Sequence, residues 1–354
     1  MKIRTLLFYK EDEFDLLKSD YITKHRIFEK DGEKIAFALA ECKPKRGEEL
    51  PELFKGGYQH FIKVYRIVDG KREYLYINYP TRLHYRMYVR CYEDIRRFKE
   101  KYSDLKNDIV TNGCRIFGFK RFRYCNNTMA YTMPFAVYEP KNKSGQKMPV
   151  LIYLHGRTNG GETNITPFME CMGIVARKIK RVKKKNPCIM VVPSIPRCYG
   201  YDIKVKTEDK TLFDAIFNEL FPLLKEKYPI DENRVYLMGC SNGAGGTWSQ
   251  IIKHPERYAA AIPMMGYSDA DEDKYFEAIK DIPVWAVHAE DDDNVLIGKT
   301  EYGYGGSDIL VEKLKAAGNS RVKYSRYKKH GHSVAKVFLK RENWCDWLFE
   351  QKKK

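Results

Sequence analysis

The chain has 354 residues, more than the usual single domain of about 100 to 200 residues, and this length predicts two domains. Hydrophobic residues make up 43% and charged residues 31% of the chain, a globular composition that excludes a disordered or collagen-like protein. The formal net charge of +17 keeps a basic protein that binds polyanions as one hypothesis.

The amino-terminal segment does not have the pattern of a signal peptide, because Glu11 and Asp12 interrupt it before an adequate apolar run develops. No stretch approaches the roughly 18 consecutive apolar residues that cross a bilayer. The nine cysteines are scattered without a CxxC spacing, which favours reduced, mostly buried thiols. We therefore expect a cytoplasmic protein that contacts neither a membrane nor nucleic acid.

Residues 24–92 consist of short alternating apolar runs that are broken by turn dipeptides. Asp31-Gly32 and Asp69-Gly70 are the dipeptides favoured in tight hairpins. One amphipathic helix is predicted at about 92–105. The sequence thus predicts a β-rich N-terminal domain of unknown role over residues 1–115 and a second domain over residues 116–354.

The second domain alternates apolar strands with helices. Strands are predicted at residues 150–154, 188–192, 235–238, 259–264, 284–288 and 322–327. Helices are predicted at residues 212–227, 244–254 and 308–317. This alternation predicts an α/β fold with a mainly parallel sheet covered by helices on both faces. The densest basic run, residues 177–185, fits a solvated helix end and loop.

The strongest local signal is a G-x-S-x-G motif at residues 239–243, between an apolar strand and a helix. A sharp strand-to-helix turn lifts the central serine, Ser241, clear of the sheet, and side chains at Gly239 and Gly243 would collide there. We therefore predict Ser241 as a nucleophile and interpret Cys240 as a packing residue.

A serine hydroxyl needs a base and an acid that orients the base, and both follow in the expected order. A cluster of four carboxylates, residues 290–293, comes after the strand at 284–288. The histidines His330 and His332 come after the strand at 322–327. Both loops should reach the edge of the sheet that carries Ser241. His288 ends a strand, and we expect it to be structural.

The backbone N–H groups of Arg157 and Asn242 are the predicted oxyanion-hole donors, since one follows an earlier strand and the other follows Ser241. We expect His155 to anchor its loop at the edge of a pocket. Tyr199 and Tyr201 either line a pocket or cover the core. No metal and no organic cofactor is required by this chemistry.

From about residue 122 onward the sequence resembles the α/β-hydrolases grouped with feruloyl esterases, polyhydroxybutyrate depolymerases and predicted peptidases. The resemblance rests on PVLIYLHG at 149–156, YPID at 228–231, RVYL at 234–237, GTW at 246–248, PERYAAA at 255–261, IPVW at 282–285 and WLF at 347–349. It implies an α/β-hydrolase fold and adds Trp248 as a candidate pocket residue. A His-Gly-x-x-Asp pattern maps onto residues 288–292, with Ala289 in place of glycine, and implies Asp292 as the acid. A Gly-His pattern implies His332 as the base and leaves His330 outside the site.

Together these features predict a serine hydrolase that cleaves carboxylic esters, with feruloyl, acetyl or other short acyl groups, through an acyl-enzyme. The expected partner is a small-molecule or carbohydrate-linked ester. Two alternatives stay open: a serine peptidase with the same three residues, and a non-catalytic basic protein that binds a polyanion or carbohydrate.

Overall fold

The structure is a computed structural model that describes residues 3–30, 33–43, 48, 61–68, 71–78, 108–111, 115, 117–126, 131–141, 145–157, 166–169, 171–195, 218 and 220–353. The chain divides into two compact units, residues 1–104 and residues 105–354. This division falls earlier in the chain than the boundary at residue 115 that the sequence suggested.

The described part of the first unit contains five strands and a short 3₁₀ helix at Glu11–Lys18. The strands are β1 (Ile3–Lys10), β2 (Ile22–Lys30), β3 (Glu33–Cys42), β4 (Phe61–Val68) and β5 (Lys71–Asn78). β3 lies between β1 and β2, and β4 pairs with β5, all in antiparallel fashion. The β2–β3 pairing extends to Lys30 and Glu33, and the β4–β5 pairing extends to Val68 and Lys71, while the two predicted turn dipeptides lie outside the described residues. The helix predicted at 92–105 lies outside the described residues.

The second unit is built on a nine-stranded sheet within the described residues. In chain order the strands of this unit are β6 (Asp108–Thr111), β7 (Lys120–Asn126), β8 (Tyr131–Tyr138), β9 (Met148–Leu154), β10 (Ile189–Pro193), β11 (Ile230–Cys240), β12 (Ala260–Met264), β13 (Tyr267–Ser268), β14 (Trp285–Ala289), β15 (Gly305–Gly306) and β16 (Lys323–Tyr327). Two of these strands, β13 and β15, pair with each other in a separate two-stranded ribbon. The order across the large sheet is β16-β14-β12-β11-β9-β10-β8-β7-β6.

Six adjacent strands of this sheet, from β16 to β10, run parallel to one another. β8 is antiparallel to β10, and β7 and β6 continue the antiparallel edge. From β9 the chain first adds β10 on one side and later β11 on the other. The loops at the carboxyl ends therefore diverge on either side of β9, and such a switch point is where α/β sheets bind ligands.

Helices cover the sheet between the strands. They are α1 (Thr166–Met169), α2 (Cys171–Val182), α3 (Phe221–Lys227), α4 (Asn242–Lys253), α5 (Asp273–Ala278), α6 (Ser307–Ala316), α7 (Val334–Arg341) and α8 (Trp344–Phe349). The predictions at 244–254 and 308–317 match α4 and α6, whereas the one at 212–227 is described only at its end. None of the described helices is long and apolar enough to cross a membrane.

The core lies on both faces of the parallel strands. Every residue of β9 and β10 is buried, as is every residue of α4 from Asn242 to Ile252. Strands buried on both faces read as continuous apolar runs, which is why they were visible in the sequence. The predicted mainly parallel sheet is confirmed, and α4 is its most enclosed helix in the described chain.

The basic run at 177–185 covers the end of α2 and the turn that follows it. Lys180 donates a hydrogen bond to the carbonyl of Phe117, and its ammonium lies 4.6 Å from the ring centre of Tyr138. The turn residues 183–185 are exposed. The run is thus a solvated helix end in which one lysine also packs on aromatic rings.

Candidate active site

Ser241 occupies the single-residue turn between β11 and α4. Its φ of 58° lies in the left-handed region that residues other than glycine rarely adopt. The Ser241 N–H donates to the carbonyl of Met264 (2.8 Å), and its own carbonyl accepts from the amides of Ala244 (2.8 Å) and Gly245 (3.0 Å). These bonds hold a strained residue in place, as is common at functional sites.

Glycine is required on both sides of this turn. A Cβ on Gly239 would lie 2.0 Å from the carbonyl oxygen of Gly243, and a Cβ on Gly243 would lie 2.2 Å from the carbonyl oxygen of Leu154. The crowding that the sequence motif predicted is therefore present. Cys240 is buried with its Sγ 4.0 Å from that of Cys171, in agreement with a packing role.

His332 links Ser241 to Asp292. Its Nε2 lies 2.9 Å from the Ser241 Oγ, and its Nδ1 lies 2.8 Å and 3.0 Å from the two carboxylate oxygens of Asp292. Because a carboxylate only accepts hydrogen bonds, Nδ1 carries a proton, and Nε2 of the neutral ring is then the acceptor for the serine O–H. The structure thus brings together the three predicted residues in one hydrogen-bonded chain.

The side chain of Asp292 is fully enclosed in the loop after β14. Its Oδ1 accepts hydrogen bonds from the amides of Asn294 (3.0 Å) and Val295 (3.1 Å), and its Oδ2 lies 3.3 Å from the Nε2 of His288. Burial alone would raise the pKa of the carboxyl. Hydrogen bonds from His288 and His332, the positive charge that His332 carries when it is protonated, and the Val295 amide outweigh burial, so the pKa lies well below its usual value. The carboxylate is therefore ionised when it faces His332.

His288, expected to be structural, lies fully buried directly behind Asp292. Its Nδ1 is 2.7 Å from the Oγ of Ser307, and its Nε2 is 2.9 Å from the carbonyl oxygen of Val295. Sequence reasoning missed Ser307, because nothing in its spacing from His288 marks a contact between a strand and the start of the next helix.

Asp291, one residue before the candidate acid, organises the histidine loop. Its carboxylate accepts hydrogen bonds from the amides of Gly331 (2.7 Å) and His330 (3.3 Å). Both residues have positive φ, 49° and 113°. Asp291 thus shapes the turn before His332, and Glu290 pairs with Arg326 (2.7 Å). His330 itself is exposed.

His155 ties together the loops that follow β9 and β10. Its Nδ1 donates to the carbonyl of Gly156 (2.7 Å), and its Nε2 accepts from the amide of Ile195 (3.1 Å). Burial lowers the pKa of His155 to about 4, although the hydrogen bond to Gly156 acts in the opposite direction. The ring is neutral and buried, which fits a loop anchor.

The two predicted oxyanion donors follow neighbouring strands. Arg157 comes shortly after β9, and Asn242 is the first residue of α4. Leu154, the last residue of β9, is paired with Gly239 of β11, so both loops start from the same edge of the sheet. Amides at the first turn of a helix point out of its amino end, where the helix dipole is positive.

The structure describes some of the candidate pocket residues but not others. Tyr199 and Tyr201 lie outside the described residues. Trp248 is fully buried in the core, where its ring lies against the backbone of Gly266. The role of Trp248 as a pocket residue stays a prediction. In the described part of the chain, no cluster of three His, Cys, Asp or Glu residues is arranged to hold a metal ion.

Comparison with known families identifies the class of protein. The model of a family described as "Putative esterase" matches residues 126–348. The chain belongs to this esterase family. The matched range includes Ser241, Asp292 and His332, and the esterase is a carboxylic ester hydrolase. No curated protein matches this chain.

Solved structures share the fold of this esterase. A thermostable esterase superposes with a TM-score of 0.58 at 21% identity, over 99% of this chain and 93% of that chain. An S-formylglutathione hydrolase from Agrobacterium tumefaciens superposes with a TM-score of 0.51 at 18% identity, over 69% of this chain and 99% of that chain. At these identities the likeness shows the fold, and the predicted α/β-hydrolase fold is confirmed.

We predict that Gly243→Ala damages the esterase far more than Gly298→Ala. The new Cβ at 243 would collide with the backbone of β9, whereas one at 298 meets no atom within 4 Å. Forcing backbone apart should lower the free energy of unfolding by about 2 kcal/mol or more, and it should reduce labelling of the serine by a fluorophosphonate. Urea unfolding and labelling of both variants test this. Equal behaviour of the two variants would contradict the crowding.

We also predict that His155 makes the stability of the esterase depend on pH. Its pKa of about 4 in the folded protein is lower than the usual histidine pKa of 6.5, so between these values the unfolded chain binds more protons. Stability is then fully present above pH 6.5 and falls by about 3 kcal/mol as the pH drops towards 4. His155→Gln should remove this part of the dependence in urea unfolding series from pH 7.5 to 4.5. An unchanged slope would show that His155 is not the cause.

Proposed function

We propose that this esterase hydrolyses carboxylic esters through an acyl-enzyme on Ser241, with His332 as the base and Asp292 as the acid that orients it. The observation that carries the proposal is the continuous hydrogen-bonded chain from the Ser241 Oγ through both nitrogens of His332 to Asp292. Such a chain activates a hydroxyl that is otherwise a poor nucleophile.

In the first step the Ser241 Oγ attacks the ester carbonyl carbon while His332 Nε2 takes the hydroxyl proton. The carbonyl π electrons move onto the oxygen and form a tetrahedral intermediate. The imidazolium that results is stabilised by the Asp292 carboxylate at Nδ1. When the intermediate collapses, His332 returns the proton to the departing alkoxide, and the acyl group stays on Ser241.

The negative oxygen of the intermediate needs donors that are already in position. The backbone amides of Asn242 and Arg157 are the groups that we assign to this role, supported by their places at the ends of two paired strands. The amino end of α4 adds a positive electrostatic contribution at the same point. Donors of this kind typically contribute about 3 to 4 kcal/mol each to transition-state stabilisation.

Water then hydrolyses the acyl-enzyme by the same steps in reverse order. His332 Nε2 removes a proton from a water molecule, whose oxygen attacks the acyl carbon of Ser241. The second tetrahedral intermediate releases the carboxylic acid and returns the proton to the Ser241 Oγ. Short acyl esters, including acetyl and feruloyl esters of small alcohols or carbohydrates, are the substrates we propose.

We expect a fluorophosphonate probe to label the protein at Ser241, because its hydroxyl faces the partly exposed imidazole of His332. Ser241→Ala should abolish labelling, and His332→Ala and Asp292→Asn should each lower kcat by about a thousandfold or more. The matched controls are the neighbours His330→Ala and Asp291→Asn, which should stay within about tenfold of the parent. Greater damage from either control would shift the assignment to that residue.

Ester hydrolysis should be much faster than amide hydrolysis. An ester releases an alkoxide readily, whereas an amide nitrogen must be protonated while an extended chain is held in register. We expect kcat/KM for p-nitrophenyl acetate to exceed that for the matched p-nitroanilide by about a hundredfold or more. Comparable anilide cleavage that Ser241→Ala abolishes would support the serine peptidase alternative. Absence of hydrolysis together with salt-sensitive retention on heparin would support the non-catalytic binding protein.

A further inference from the structure

The carboxylate of Asp292 lies between two imidazole rings. Its Oδ2 is 2.8 Å from the Nδ1 of His332 on one side and 3.3 Å from the Nε2 of His288 on the other. The His332 side chain is partly exposed, whereas that of His288 is fully buried. The acid thus has one partner towards the reacting serine and a second partner inside the protein.

We propose that His288 is a positioning residue for Asp292 and that Ser307 fixes the ring of His288. The proposal rests on the function proposed above, because it gives His288 a role in catalysis only through Asp292 and His332. In this proposal the buried ring of His288 fixes the direction in which Asp292 presents its Oδ2 to His332.

Proton positions in this cluster follow from the partners. The carbonyl of Val295 can only accept, and it lies 2.9 Å from the Nε2 of His288, so Nε2 carries a proton. That N–H is shared between Val295 and the more distant Oδ2 of Asp292. In the neutral ring Nδ1 is then an acceptor, and it receives the O–H of Ser307 at 2.7 Å. Each ring nitrogen therefore has a defined partner.

The backbone of Val295 closes this cluster into a ring of contacts. Its amide donates to the Oδ1 of Asp292 (3.1 Å), while its carbonyl accepts from His288. Rotation of the carboxylate about its last bond would break contacts with the backbone and with His288 together. An acid held in this way keeps His332 aligned while that ring gains and loses its proton.

Ser307, the hydrogen-bond partner of His288, lies where the start of α6 packs closely against a neighbouring loop. Ser307 is the fully buried first residue of α6. A Cβ on Gly306, the residue before it, would lie 2.2 Å from the carbonyl oxygen of Leu296, so this backbone passes directly against the loop that follows Asp292. The Asp308 amide also donates to the carbonyl of Ile297 (2.9 Å). The loop of the acid and the start of α6 are thus one packed unit.

The test compares His288→Leu, which removes the polar contacts of both ring nitrogens, with His288→Gln, which keeps an N–H donor. With p-nitrophenyl acetate, His288→Leu should lower kcat about ten- to a hundredfold, the size expected for one hydrogen bond to a charged group, with KM changed less than about threefold. His288→Gln should recover at least half of the loss on a logarithmic scale. Ser307→Ala, a smaller change that spares the ring, should lower kcat by a few-fold.

A double-variant cycle separates positioning from a general loss of structure. In the background of Asp292→Asn, whose carboxylate is gone, His288→Leu should cost less than about twofold in kcat. The stability control is Asn319→Ala, which removes buried hydrogen bonds to the carbonyls of Ile279 and Ile282. It should lower Tm without changing kcat per folded molecule.

Two results would overturn the inference: wild-type kcat in folded His288→Leu, or the same fold-loss from His288→Leu in both backgrounds. If His288→Leu does not fold, His288→Gln and Ser307→Ala test the inference instead. Wild-type kcat and wild-type Tm in both of these variants would then contradict the role of His288, provided that Asp292→Asn is inactive. Activity retained by Ser241→Ala would refute the proposed function itself. Inactive Ser241→Ala and Asp292→Asn beside a fully active His288→Leu would refute the role of His288 alone.

Discussion

The close approach of α4 to the end of β9 is the constraint on which the rest of the site depends. Gly243 lies against the carbonyl of Leu154 so tightly that no side chain fits between them. This contact sets the distance between the start of α4 and the loop that carries Arg157. It also forces the chain at Ser241 into a strained turn, which neighbouring backbone hydrogen bonds sustain. Backbone packing, rather than any single polar side chain, thus fixes where Ser241 lies.

The two ionisable side chains of the site, those of Asp292 and His332, differ in their exposure to solvent. Asp292 is enclosed and ionised, and it is surrounded by donors that compensate for the loss of water. The His332 side chain is partly exposed. In the mechanism proposed above, Asp292 stays ionised while His332 gains and loses a proton.

Local pattern was sufficient for the parallel strands and for the turn at Ser241, because buried strands are continuous apolar runs and the turn needs glycine. Asp292 could be chosen from four adjacent carboxylates only through family resemblance. His288 and Ser307 meet because two strand ends and a helix start converge, and no sequence period records that.

The spacing of the site along the chain affects when the enzyme becomes active during synthesis. Ser241 and His332 are 91 residues apart, and His332 lies between β16 and α7. A ribosome therefore completes the turn at Ser241 well before it has made His332. If the mechanism proposed above holds, the growing polypeptide carries an inert hydroxyl at Ser241 until the segment with His332 docks against β14.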